Sequence, residues 1–220
     1  MIARRTTLLA LALLTLAPAA AVADGGKSVP ATKIFPFLEA FLKVPAAQRN
    51  RLKLSYGLRQ DGKPVGGVKA MLVEAGGART LLPIAADGRF ERLPSLAQLQ
   101  AKAMVTLDVP AESKFGVSLD LSPTLKPAQE YDARDLAAAV NEANAVIGKA
   151  AGPLALAIPD MTGIVFAKAE AGVAVLADGR TQALPLVAGA PVYRPVQFKT
   201  ATRVRLSRTP AELGFDDKKK

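Results

Sequence analysis

The chain has no cysteine, no histidine and no tryptophan among its 220 residues, and only three tyrosines. Without cysteine there can be no disulfide, no thiol nucleophile and no acylated lipoprotein cysteine. Without histidine there is no Ser-His or Cys-His nucleophile pair. Lacking both, the chain cannot build a zinc site on nitrogen and sulfur ligands or a haem-attachment motif. Platforms that stack on sugars lean on Trp and Tyr, and Tyr56, Tyr131 and Tyr193 are all that exist. No Gly-rich phosphate loop occurs, because the doublets Gly66-Gly67 and Gly76-Gly77 lack a following Lys-Ser/Thr. No Asp-x-Asp-x-Asp-Gly calcium loop occurs either. These absences lead us to expect no catalytic, cofactor-binding or metal residues. Paired carboxylates are the exception, with Asp87, Asp132, Asp135 and Asp178 available, each also suited to a turn or a helix cap.

What is present begins with a basic head, Arg4-Arg5, an apolar stretch from Leu8 to Leu16, and the small residues of Ala21-Val22-Ala23. This is the pattern of a secretory signal, with cleavage expected between Ala23 and Asp24 and a periplasmic or secreted mature chain. The apolar stretch falls short of the roughly 20 residues that span a bilayer. No second long apolar run follows, so no transmembrane segment is expected in the mature chain. The net charge is +10, or +8 once Arg4 and Arg5 are removed. Residues 24–70 hold much of the excess, with nine basic and three acidic side chains. Outside the cytoplasm such a surface favours anionic envelope components over nucleic acid.

Along the chain, residues 24–45 read as a polar leader followed by a short apolar helix from Ile34 to Val44, with Pro36 in its first turn. From Arg51 the period becomes two. Leu52, Leu54, Tyr56 and Leu58 alternate with Lys53, Ser55, Gly57 and Arg59, a half-buried strand. Further strands are expected at 68–73, 80–84, 90–93, 102–109 and 115–121, in the last of which Phe115, Val117, Leu119 and Leu121 point one way. Asp132 to Lys149 reads as a long helix, capped by Asp132, with Leu136, Val140, Ala143 and Ile147 as its apolar face. Strands resume at 154–158, 164–168, 173–176, 181–186 and 203–207.

The fold class that follows is mainly β (α+β): two small antiparallel sandwich-like regions bridged by one long helix. One larger sandwich with the helix packed on it is the alternative. The expected organisation is a signal peptide (1–23), leader and short helix (24–45), a first β module (46–123), a helical linker (124–152), a second β module (153–215) and a charged tail (216–220). An internal echo supports two modules. Ala86-Asp87-Gly88-Arg89-x-x-x-Leu93-Pro94 recurs as Ala177-Asp178-Gly179-Arg180-x-x-x-Leu184-Pro185. Val105-x-Leu107 before Pro110-Ala111-Glu112 is matched by Val204-x-Leu206 before Pro210-Ala211-Glu212. Both Asp-Gly pairs are expected to be equivalent type I′ hairpin turns.

Asp61-Gly62-Lys63-Pro64-Val65-Gly66-Gly67-Val68, followed by Asp87-Gly88-Arg89-Phe90, resembles the transthyretin-like, or carboxypeptidase-regulatory-like, β-sandwich modules over about residues 51–109. The resemblance implies an accessory or adhesive role and brings no catalytic set. The wider composition resembles that of an exported bacterial protein.

The remaining site signal is basic. Period-two alternation puts Arg51, Lys53 and Arg59 on the face opposite Leu52, Leu54 and Leu58, and Arg203 and Arg205 opposite Val204 and Leu206. These five are the candidate contacts to an anionic partner; the competing reading is a solvated face that guards strand edges. The function expected is a non-enzymatic binding or accessory module for an envelope component or protein partner. The alternatives are a carboxylate-dependent envelope hydrolase and a structural subunit that docks through its Phe-rich N-terminal segment.

Overall fold

The first half of the computed structural model begins with β1 (Lys27–Pro30) and passes directly into two short helices, α1 (Ala31–Ile34) and α2 (Leu38–Lys43). It continues through β2 (Leu52–Gln60), β3 (Lys63–Pro64), β4 (Ala70–Val73), β5 (Arg79–Leu82), α3 (Leu96–Gln100), β6 (Met104–Leu107) and β7 (Gly116–Pro123). The second half holds β8 (Glu130–Asp132), α4 (Ala133–Ala151), β9 (Met161–Ala167), β10 (Gly172–Leu176), β11 (Thr181–Ala183), β12 (Leu186–Val187), β13 (Ala190–Tyr193), β14 (Ala201–Leu206) and β15 (Glu212–Asp217). The structure describes residues 27–110, 113–152 and 158–217; the expected signal peptide and the strand at 154–158 lie wholly or largely outside them.

The fold is mainly β, built of antiparallel sheets with few helices. In the first half, β1-β6-β4-β5 form one sheet and β3-β2-β7 another. Leu58 and Tyr56 of the second sheet share a core with Leu72, Val105 and Leu107 of the first and with Ile34, Phe35 and Leu38 beside them. Phe35 sits edge-on to both Tyr56 and Phe90, and the Tyr56 hydroxyl donates to the Pro36 carbonyl at 2.5 Å. In the second half β11-β10-β14-β8 and β12-β13-β9-β15 enclose a second core around Leu136, Ile164, Phe166, Ala174 and Val204.

The two halves repeat one another in their main strands, while β3, β12 and β13 have no strand counterpart among the described residues. β8-β14-β10-β11 reproduces β1-β6-β4-β5, with every neighbour antiparallel. β9, flanked by β15 and β13, reproduces β2, which pairs with β7 on one side and bridges Arg89 from Gly57 on the other. The correspondence reaches single residues. Leu72 faces Val105 as Ala174 faces Val204, and Val29 faces Val105 as Tyr131 faces Val204. The helices agree in phase: Ala31, Ile34, Leu38, Phe41 and Val44 are buried in the first half, and Ala133, Leu136, Val140, Ala143 and Val146 in the second.

This repeat corrects several expectations. The long helix is not a linker between modules. It follows β8 directly and covers the second core, as α1 and α2 follow β1 and cover the first. The leader is in part a strand, β1, paired to β6. The single apolar helix is two, broken at Phe35-Pro36-Phe37, with Phe37 in the left-handed region at φ 63°. Val146, not Ile147, completes the buried face of α4. Leu119 does not turn fully inward and is 42% exposed on β7, the border strand of its sheet.

The sequence echo is real in β6 and β14 but misaligned at the turns. The topological partner of Leu176–Arg180, which joins β10 to β11, is Glu74–Ala78, which joins β4 to β5. Ala85–Arg89 closes the next hairpin. All three turns share one hydrogen-bond pattern: Leu176 N–H donates to Arg180 O at 2.8 Å and Gly179 N–H to Leu176 O at 3.0 Å, and the same pair recurs at 74–78 and 85–89. Only the glycine has positive φ in each, which is a type I turn with a bulge and not type I′. Loops with the positive φ pair of type I′ lie instead at Asp61-Gly62, with φ 50° and 76°, between the paired Gln60 and Lys63, and at Ala188-Gly189, with φ 48° and 80°, between the paired Val187 and Ala190.

The Asp-Gly turns therefore differ in what surrounds them. A Cβ on Gly179 would meet nothing within 4 Å, whereas one on Gly88 would lie 2.8 Å from the Leu58 carbonyl oxygen. Gly179→Ala is expected to cost about 1 kcal/mol for its positive φ. Gly88→Ala should cost at least about 2 kcal/mol, because backbone must also shift. Urea denaturation of the two variants measures the difference.

Candidate functional site

Where the repeats meet, equivalent elements touch: α2 lies against α4 and β7 against β15. This is the arrangement of an isologous twofold interface, here within one chain. Its core joins Phe41, Val44 and Leu52 to Ala143 and Val146, with Leu121, Met161 and Phe215 at the side. On the other side of β2 and β7 the sheets diverge and leave a groove of about 980 Å³.

The strand period decides what this groove displays. Residues of β2 that point away from the core, Lys53, Ser55, Gly57 and Arg59, line one wall. Their cross-strand partners on β7, Ser122, Asp120, Ser118 and Gly116, follow from the register, and the first three also line it. Val165 and Ala167 of β9 and Glu212 and Gly214 of β15 line it too, as do Arg89 and Lys126. Cations in the lining thus comprise Lys53, Arg59, Arg89 and Lys126, against the carboxylates Asp120 and Glu212.

The candidate basic residues divide sharply. Arg51 is held by α4: its backbone N–H donates to Glu142 Oε1 at 2.7 Å and its guanidinium lies 3.6 Å from Glu142 Oε2. Arg203 and Arg205 both grip Glu130 across the β8–β14 ladder, at 3.0 and 2.7 Å. The Arg205 hydrogen bond is the main reason the Glu130 carboxyl is held below its ordinary range. None of these three lines the groove. Lys53 and Arg59 do, and neither has an ion-pair partner among the described residues; nor does Lys126. The sequence reading missed Arg89, Ser118, Asp120, Ser122 and Lys126. The alternation of Val117, Leu119 and Leu121 did imply that Ser118 and Asp120 face the other way.

The candidate catalytic carboxylates are occupied locally. Asp87 and Asp178 accept from the backbone N–H groups of Arg89 and Arg180 at 3.0 Å and pair with the same arginines' side chains. Asp132 caps α4 by accepting from Arg134 N–H at 2.7 Å, and Asp135 lies in its first turn. Among the described residues no cluster of three acidic side chains is placed to hold a metal ion.

A smaller cavity, about 470 Å³, lies between α4 and the end of β15. At its edge Asp216 Oδ2 accepts from Arg194 Nε and from Thr162 Oγ1, both at 2.7 Å. Burial pushes the Asp216 carboxyl up, but the Arg194 and Thr162 bonds outweigh it and hold the group below the usual carboxylate range. Stability tied to it is present above about pH 4 and is lost as pH falls through the lowered value. Asp216→Ala should cost about 1.5–3 kcal/mol at pH 7. The gap between variant and parent should shrink toward pH 3, as urea midpoints at the two pH values will show.

No curated protein and no solved structure matches the chain. A family model described as "Protein of unknown function (DUF2987)" matches residues 41–167, from α2 to the end of β9, and so takes in most of the first repeat, the groove wall of β2 and β7, and α4. That match covers more than half of the sequence, and the chain belongs to the DUF2987 family.

Proposed function

We propose that the protein is a non-enzymatic binding module that takes an anionic partner, an envelope component met after export, in the groove between its two repeats. The observation that carries this reading is the set Lys53, Arg59 and Lys126: cations lining one groove without carboxylate partners among the described residues, while Arg51, Arg203 and Arg205 are neutralised elsewhere. A charged groove with low-dielectric walls concentrates ligands of opposite sign. The basic head, apolar stretch and Ala21-Val22-Ala23 support export. Burial of Phe35 and Phe41 counts against docking through the Phe-rich segment, since only Phe37 of that group is exposed.

The test is co-sedimentation with vesicles of phosphatidylglycerol and phosphatidylcholine, and with lipopolysaccharide, at low and high salt. Binding to the anionic surfaces should fall steeply as salt rises, since exposed charges are screened beyond about 8 Å at physiological ionic strength. Lys53→Gln/Lys126→Gln should weaken binding several-fold, and Arg203→Gln/Arg205→Gln should not. Indistinguishable curves for all three proteins would overturn the groove reading.

A further inference from the structure

Within the groove, one arginine is set apart by how it is held. Arg59 Nε donates to Ser118 Oγ at 3.0 Å, and Ser118 Oγ in turn donates to the Gly57 carbonyl at 3.3 Å. The guanidinium lies over the bare Cα of Gly57: a Cβ there would stand 2.8 Å from Ser118 Oγ and 3.5 Å from Arg59 Nη2. Gly57 is buried, and it faces Ser118 directly across the β2–β7 ladder. A glycine in mid-strand weakens a sheet and marks a close approach; here what approaches is the Ser118 hydroxyl, with the Arg59 guanidinium in ordinary contact beside it.

The arrangement is costly in sequence terms and neutralises no charge. Arg51, Arg89, Arg134, Arg180, Arg194, Arg203, Arg205 and Arg208 each have a carboxylate within 4 Å. Arg59 is instead fixed by a neutral hydroxyl through its inner nitrogen. The two terminal nitrogens have no hydrogen bond or ion pair among the described residues. A fork with its stem tied and its two ends free is the geometry that binds an oxyanion through paired N–H donors. Arg89 also lines the groove, and its backbone bridges Gly57 across the strands; its Nε pairs with Asp87 at 3.1 Å and its Nη2 lies 3.9 Å from Glu212, which leaves Nη1 as a further donor among the described residues.

We infer that Arg59, fixed by Ser118 over Gly57, is the contact for a phosphoryl group. This rests on the groove being the binding site and names the part of the ligand that it reads. A phosphoryl group presents oxygens in several directions. It can therefore meet the Arg59 fork with two oxygens and offer a third to the remaining donor of Arg89, whereas a planar carboxylate is filled by one fork. Asp120, opposite Ser55 on the same wall, disfavours an anion placed further along β2 from Arg59. Ser118 and Gly57 act as positioning residues.

The experiment follows the Arg59 side-chain Nε–Hε signal by NMR in the full mature chain, titrated with inorganic phosphate at constant ionic strength. Acetate and phosphatidylglycerol vesicles are the comparison arms. Phosphate should shift that signal saturably, and acetate much less. Arg59→Gln should weaken phosphate binding, followed through the backbone signals of Gly57 and Ser118, by about tenfold or more. Ser118→Ala should weaken it less while leaving the melting temperature nearly unchanged, and Ser118→Thr should restore it. Gly57→Ala, which displaces the Ser118 hydroxyl and so unties Arg59, should weaken it at least as far as Ser118→Ala. If phosphate binds as expected but vesicles do not, a soluble phosphate ester is the source; if both bind, a lipid head group is. If vesicles bind and depend on Lys53 and Lys126 while phosphate leaves Arg59 unmoved, this inference is overturned and the groove reading stands. If neither binds, both are wrong.

Discussion

Replacing Leu136 by Asp is expected to leave the chain unfolded at room temperature. Leu136 is fully buried near the start of α4, in a cluster with Ile164, Phe166 and Val204. The methyl groups removed would alone cost about 2–5 kcal/mol. The carboxylate that replaces them has no cation in that cluster, and an unpaired buried charge costs several kcal/mol more unless it takes up a proton. A domain has about 5–15 kcal/mol of stability in total. Circular dichroism at pH 7 should show the loss of strand and helix signal. Partial recovery at pH 4 to 5 is expected, because protonation removes the charge and leaves only the cavity. A cooperative melt at pH 7 close to the parent's would contradict the packing described for α4.

Phe41→Ala should weaken the protein by about 3–5 kcal/mol and loosen the joint between repeats before either repeat melts. Phe41 is buried in the junction core with Ala143 and Val146. Its ring is covered by the Arg49 guanidinium, 5.0 Å from its centre, so the change also removes a cation–π contact. Phe41 and Ala143 are equivalent positions of the two repeats, one large and one small, in the same cluster. The double variant Phe41→Ala/Ala143→Phe places the ring on the opposite side of the same joint. It should recover part of the loss, giving a coupling of about 0.5–3 kcal/mol in a double-mutant cycle. Hydrogen exchange should locate the loosening in α2 and the end of β7. Uniform loss across both repeats, without coupling, would mean that the junction is not a separate unit.

What could be read from sequence was local. The alternation along Leu52–Leu58 marked both the strand and its polar face, and Asp132 marked the start of α4. Strands β1 and β8 were illegible because Lys27–Pro30 and Glu130–Asp132 each offer one inward side chain, Val29 or Tyr131, with nothing to set a period. The break at Pro36 looked compatible with one helix, since proline is tolerated in a first turn; packing of Phe35 into the first core decided otherwise. The basic face on β2 was legible, but not which of its members are neutralised. Glu142 and Glu130 lie 91 and 75 residues from Arg51 and Arg205, and only the tertiary fold brings them together. For the same reason Ser118 was readable as outward-facing but not as the clamp on Arg59, 59 residues away.

Each sheet draws its strands from one repeat alone, so β1 to β7 close a complete unit before β8 is needed. A chain that emerges from its N-terminus can therefore finish the first repeat while the second is still being delivered, and the joint forms last. The hazard is mistaken identity. With matched registers, β14 could pair with β1 as well as with β8, the domain-swapped error to which repeated folds are prone. The repeats guard against it by differing where they correspond. Val29 stands where the second repeat has Tyr131, Leu72 where it has Ala174, and Pro30 where it has the capping Asp132. A β1 in the place of β8 would leave a hole the size of a tyrosine ring against Phe166, and a β4 in the place of β10 would crowd that core. Divergence between the two copies thus acts as a proofreading code for assembly, written in side-chain volume.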